Sequence, residues 1–412
     1  MKFNVINLND NINIKGIINL YSKEYNLNDR NILINFKNKM HNILYFSYRT
    51  NFYNIQNLKN YYIYNSDCGW GCMIRSGQMI LARGIYKYFK KLNPLNKNRK
   101  FEILIDTLFL FLDNPISLQI NFPPILNTFK QFIFNFKNFS YSEGFRNVQQ
   151  IIPPFSLKSI CNVGKIVNKY AGEWFSDVSM SNIFEKIINN YEIFKDEENN
   201  NILKFFTFQN SIDLKKVLET CFVKQNNYQS NIDMNNKQNK IFNHNNISYE
   251  FKNSGIIFVS CRLGLNQVES CYFEALLFLF QSKNCLGFIG GKPGRAFYFI
   301  GFDHEQNLVY LDPHLTQESI NTCISNSKQI ESYFVKNIYR IKINNIQPSL
   351  TIGFIFRNVL EFNALINFLE INNNFTEKFF SYSFKTENKN TDSNNDNKNN
   401  IIDIKNSNKD DF

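Results

Sequence analysis

Three short apolar runs in the second half of the chain, GIIFVSCRL (255–263), AFYFIGF (296–302) and NLVYLDP (307–313), are each bounded by turn residues. Runs of that length and setting read as strands, so this half of the chain builds a sheet. The first half carries a different period. From Met73 onward, Ile74, Gly77, Met79, Ile80, Leu81, Gly84 and Ile85 recur at helical spacing, a helix with one stripe turned to a core and Cys72 at its first turn. Phe101–Leu112 and Met180–Tyr191 also read as helices. Helices first and strands later indicate an α+β fold rather than a βαβ repeat.

With 412 residues, 43% of them hydrophobic, the chain can bury a large core. Residues 1–30 are polar and Asn-rich and are expected to form a flexible N-terminal segment, with one domain over 31–380. Inside it, a low-complexity insertion at about 224–250 holds too little apolar content to fold alone, and 381–412 reads as a disordered tail. The N-terminus lacks an apolar signal region, and runs such as EALLFLF are too short to cross a bilayer. A soluble, cytoplasmic protein is expected. Eight cysteines are too sparse for a disulfide scaffold, so the thiols are expected to be free. The net charge of +11 comes from mostly scattered lysines, without the motifs of a nucleic-acid binder.

The stretch SDCGWGCMIRSGQ places Cys68 and Cys72 around a tryptophan between two glycines. A zinc site needs a second half at metal-type spacing, which neither the other cysteines nor the histidines supply. A redox pair needs Cys-x-x-Cys in a thioredoxin-like setting, which is absent. No metal or cofactor is expected. A nucleophile at a helix N-terminus gains from unpaired N–H groups and the positive end of the macrodipole, which favour thiolate. Cys72 has that position, its own backbone N–H can serve an oxyanion, and Cys68 lies upstream in the loop.

Four histidines are available as the base. His41 precedes the folded run, His244 lies in the Asn-rich loop and His304 in a polar turn, all surface positions. His314 differs. Asp312 and His314 sit two apart at the end of an apolar strand, so both side chains point to one face, where a carboxylate can orient an imidazole. On spacing alone, Asp-Pro-His is more often a turn that merely ends a strand. GFIGGKPGRA fails as a phosphate loop, because Pro293 stands where Ser or Thr would hold Mg²⁺, and remains a Gly/Pro turn able to act as a flap over a cleft.

Taken in order, FSYRTNF, SDCGWGCMIRSGQMILA, AGEWFSD, RLGLN, GFIGGKPGRAFYFIGF and LVYLDPHLTQ closely resemble the autophagins, the cysteine peptidases of autophagy, from about Leu44 to Leu369. The resemblance implies a papain-like α+β fold with a small inserted subdomain. It implies cleavage of a ubiquitin-like autophagy modifier after its C-terminal glycine, on the free precursor and on the phosphatidylethanolamine conjugate. The partners it implies are that modifier and, transiently, the autophagic membrane, with no nucleic acid and a monomeric enzyme. It makes Cys72 the nucleophile, His314 the general base, Asp312 its orienting acid and Tyr48 the oxyanion-side tyrosine. Trp174 and the loop Pro293, Gly294, Arg295 and Ala296 match the pair that covers the groove, although a tryptophan there is otherwise a core residue. Cys68 stands where the family usually has Thr, Ser176-Asp177 where it has Gly-Pro, and Phe297 where it often has His. Two rival readings are a papain-fold peptidase acting on ubiquitin and a non-catalytic modifier-binding protein.

Overall fold

The computed structural model describes residues 4–8, 15–92, 100–117, 150–190, 194, 202–224, 241–244, 247–320, 327–372 and 380–383. At its centre is a ten-stranded sheet. Its strands are β1 (Asn4–Asn7), β2 (Ile17–Leu20), β3 (Lys23–Asn26), β4 (Leu203–Gln209), β5 (Ser254–Arg262), β6 (Cys285–Lys292), β7 (Arg295–Asp303), β8 (Asn307–Leu311), β9 (Asn337–Lys342) and β10 (Ser349–Phe356). The order is β1-β9-β8-β7-β6-β10-β5-β4, antiparallel throughout except for the parallel pair β5 and β4. The three apolar runs of the sequence are β5, β7 and β8.

Both faces of this sheet are covered, which is why its central strands are continuously apolar instead of alternating with polar residues. On β7, Tyr298 and Ile300 enter one core while Phe297 and Phe299 enter the other. The first core is closed by α1 (Arg30–His41), α2 (Cys72–Leu92), α3 (Lys100–Phe109), α4 (Leu157–Gly164) and α5 (Asp177–Glu185). The second is closed by α6 (Leu214–Cys221), α7 (Phe273–Leu279) and α8 (Val359–Asn372). The fold is therefore mixed α/β, with helices on both faces of a largely antiparallel sheet. The helix expected at Met180–Tyr191 begins earlier, because the Ser176 side chain accepts from the Ser179 N–H and caps α5, and it runs on into a wider π turn at Lys186–Asn190.

The N-terminal segment corrects the sequence reading. Residues expected to be flexible contribute β1, which pairs with β9, and β2, which takes up the edge of β7 at Gly301–Asp303 with β3 outside it. Ile6, Leu8, Ile18, Leu20, Tyr25 and Leu27 are all buried. The Asn-rich background conceals four-residue strands whose partners lie some 280 to 340 positions away. Of the low-complexity insertion, residues 225–240 lie outside the described residues. Its flanks, Phe222–Lys224, Ile241–His244 and Ile247–Phe251, form a three-stranded sheet. The expected tail begins later than 381, since Ser381–Ser383 pair in parallel with Ser211–Asp213; residues 384–412 lie outside the described residues. Among the described residues, no helix is long and apolar enough to cross a membrane.

Candidate active site

Cys72 opens α2 and is 3% exposed. It forms a small buried cluster of its own with Tyr48 and Ala296. Tyr48 begins the strand Tyr48–Gln56, which pairs in parallel with Thr316–Glu318, and its backbone N–H donates to the Pro313 carbonyl at 2.8 Å. The strand carrying the tyrosine is thereby tied to the segment carrying the histidine. Cys68 is exposed, and its thiol accepts from the Thr316 hydroxyl at 3.6 Å.

After β8 the chain turns through Asp312-Pro313-His314. The Asp312 carboxylate accepts the His314 backbone N–H at 3.0 Å and meets its Nδ1 at 2.5 Å, which assigns the ring proton on that side to Nδ1. The Asp312 carbonyl accepts the Tyr45 hydroxyl at 2.6 Å. The rings of Tyr48 and Phe297 stand edge-on to the imidazole, at 5.3 and 5.8 Å between centroids. The other nitrogen, Nε2, is buried without a partner at hydrogen-bond geometry, yet the Cys72 sulfur lies close enough to couple to it electrostatically.

Burial alone would raise the Cys72 thiol. The His314 imidazole, the Ala296 backbone N–H and the Tyr48 hydroxyl outweigh it and bring the thiol below its usual range. Burial likewise opposes the His314 imidazolium, but Asp312 and the Cys72 sulfur reverse the effect and raise His314 to about 9. Each group thus favours the charged form of the other, a thiolate beside an imidazolium. Burial, followed by the neighbouring sulfur, raises the Tyr48 phenol far above its usual range and keeps it a neutral donor.

Beside the sulfur runs a groove of about 300 Å³, lined among others by Trp70, Cys72, Met73, Trp174, Arg295 and Ala296. His314 does not line it. Trp174 is half exposed at the rim, with its indole N–H donating to the Gly69 carbonyl at 3.1 Å. The expected Gly/Pro turn is a tight two-residue hairpin turn. Only Pro293 and Gly294 lie between β6 and β7, Lys292 pairs with Arg295, and Gly294 takes φ +77°. A Cβ on Gly294 would stand 3.3 Å from the Trp174 ring, so the turn and the indole face each other across the groove. Ala296 belongs to the inner wall, against the sulfur, and not to the cover.

A model of the Peptidase C54 catalytic domain matches residues 34–368. The chain belongs to the Peptidase C54 family. Similar proteins include the cysteine protease ATG4C of Xenopus tropicalis, 27% identical over 324 residues, covering 73% of this chain and 63% of that protein. The human cysteine protease ATG4C is 27% identical over 318 residues, covering 72% and 63%. The cysteine protease ATG4 of Candida albicans is 26% identical over 329 residues, covering 79% and 56%. The alignments thus span about three fifths of the length of these relatives.

One feature of this C54 chain escaped the sequence reading. Arg75, wholly buried in α2, binds Asp67 through Nε at 2.7 Å and Asp113 through a terminal nitrogen at 2.9 Å. Asp67 lies inside the motif quoted above, but only the fold brings Asp113 to the same guanidinium. Among the described residues, no group of His, Cys, Asp and Glu is arranged to hold a metal ion.

Proposed function

We propose that this chain is a papain-like cysteine endopeptidase that cuts a ubiquitin-like autophagy modifier after its C-terminal glycine. It processes the precursor and releases the modifier from phosphatidylethanolamine, acting as a cytoplasmic monomer in transient contact with the membrane. The observation that carries the reading is the pairing of a buried thiol lowered from its usual range with an imidazole raised to about 9 and held by Asp312. The substrate is carried over from the autophagin resemblance and from relatives named cysteine protease ATG4.

In this mechanism the Cys72 thiolate attacks the glycyl carbonyl, and Tyr48 and the Cys72 backbone N–H donate to the oxyanion. The C–N bond breaks as His314 passes the Nε2 proton to the departing amine, leaving a thioester on Cys72. Water then attacks the thioester, His314 takes its proton, and the glycine carboxylate leaves. The acyl side fills the groove, so the amine can belong to a peptide or to a lipid headgroup. Trp174 and the Pro293–Gly294 turn meet over the groove, so they must part to admit the tail, and a thin, glycine-ending tail needs the smallest opening where a side chain would clash.

The test is mass spectrometry after reaction with a modifier that bears a C-terminal electrophile. An adduct on Cys72, lost in Cys72→Ala, is the expected result. Labelling by the ubiquitin electrophile instead would redirect the substrate, and binding without an adduct would leave only a modifier-binding protein.

A further inference from the structure

We propose that Asp67 is a positioning residue that fixes the Tyr48 hydroxyl relative to the Cys72 sulfur, a role that rests on the catalytic reading above. Asp67 is fully buried and uses its two carboxylate oxygens on two different elements. Oδ1 accepts the backbone N–H of Arg49, the residue after Tyr48, at 2.6 Å. Oδ2 accepts the Nε–H of Arg75, one turn into the helix that Cys72 opens, at 2.7 Å. The Asp67 backbone carbonyl accepts the N–H groups of Trp70 and Gly71 at 3.2 and 2.9 Å, closing the turn just ahead of the nucleophile. One residue therefore ties together the strand with the phenol, the turn before the sulfur and the helix behind it.

The far side of Arg75 is equally constrained. Its terminal nitrogens meet Asp113 and the Gln78 side chain, and Asp113 also accepts the Leu157 N–H at the start of α4. There is no slack in the joint, because a Cβ on Gly71 would come within 2.2 Å of Asp67 Oδ2. Stability gives little reason for such a cluster, since apolar side chains of similar volume often replace buried ion pairs without loss. Two directional bonds to two catalytic elements do give one. Asp67 does not line the groove and so acts only through Tyr48 and Cys72.

Asp67→Asn supplies one acceptor and one donor, so it cannot accept from Arg49 and Arg75 together. The expected result is a fall in kcat of roughly 10- to 100-fold with KM within about twofold, the scale on which a small misplacement of reacting groups acts. Adding Tyr48→Phe should then cost little more, because both changes remove the same contribution. Gly71→Ala, which pushes on the carboxylate without altering charge, should reproduce the kcat loss and carries the test if Asp67→Asn does not fold. Leu365→Ala, in α8 on the opposite face of the sheet, serves as a control for lost stability and should keep kcat. Losses that multiply in the Asp67→Asn, Tyr48→Phe double variant, unchanged kcat in Asp67→Asn, or an equal kcat loss in Leu365→Ala at matched Tm would overturn the role. Failure of the wild-type enzyme to label at Cys72 would instead strike the catalytic reading itself.

Discussion

On the inner wall of the groove, Cys72 and Ala296, with Tyr48 packed against them, are at most 4% exposed, and hydrogen bonds from three separate elements converge there. At the rim, Trp174 is 50% exposed and held through its ring N–H and its carbonyl, the latter accepting from Lys169 at 2.9 Å. The wall has what bond-making needs, groups fixed in a medium that strengthens charge. The rim has what selection of a tail would need, a half-exposed apolar plate beside the sulfur. On the proposed function, reactivity and choice of substrate would fall to different parts of the molecule, and each part can be perturbed separately.

The largest expected effect lies on the wall. Cys72→Ala should abolish precursor cleavage while the protein still folds and binds the modifier, measured by a gel-shift cleavage assay beside a binding titration. Residual turnover well above background would mean that the wall is not where bonds are made. Next is Asp312→Asn, which leaves the ring of His314 without its carboxylate and should lower kcat by roughly 10²- to 10⁴-fold.

The same pair governs the pH response. The thiolate limb of kcat/KM should lie below the ordinary thiol range, and the alkaline limb near pH 9, where the raised His314 loses its proton. In Asp312→Asn the alkaline limb should move down towards the ordinary imidazole range. Because His314 is raised on folding, its contribution to stability is complete below about pH 6.5 and disappears as pH climbs through about 9. A melting curve against pH checks the direction, and greater stability at pH 10 than at pH 6 from this group would contradict it.

At the rim the effects should be smaller and of another kind. Trp174→Ala should leave kcat on the natural tail nearly intact while reducing the preference for glycine over alanine beside the cut by about tenfold. A collapse of kcat instead would merge rim and wall. Cys68→Ser should be the mildest, within about twofold in rate, since the thiol is exposed and outside the buried cluster.

What the sequence disclosed follows the range of the interactions involved. The start of α2 was legible because periodicity and the two glycines before it are local, and β5, β7 and β8 because doubly buried strands leave unbroken apolar runs. Asp312 and His314 were legible as a pair at spacing two, but their approach to Cys72 depends on the Tyr48 strand bonding to Pro313, which no local pattern records. The joint at Asp67 was hidden for a similar reason, since an Asp and an Arg eight apart look like surface charges until Asp113 arrives from elsewhere. The turn at 293–294 was read as a flap from its Gly and Pro content. Composition located the turn but could not show that Arg295 and Ala296 were already strand.

Pairing of β1 with residues 337–340 has a consequence for how the chain is made. During synthesis at about 5–20 residues per second, Asn4 to Asn7 are made roughly 17 to 67 seconds before their partner strand exists. The earliest strands to emerge are therefore among the last to dock. β2 and β3 can close on each other as a hairpin meanwhile, whereas β1 has no local partner and waits for residues 337–340.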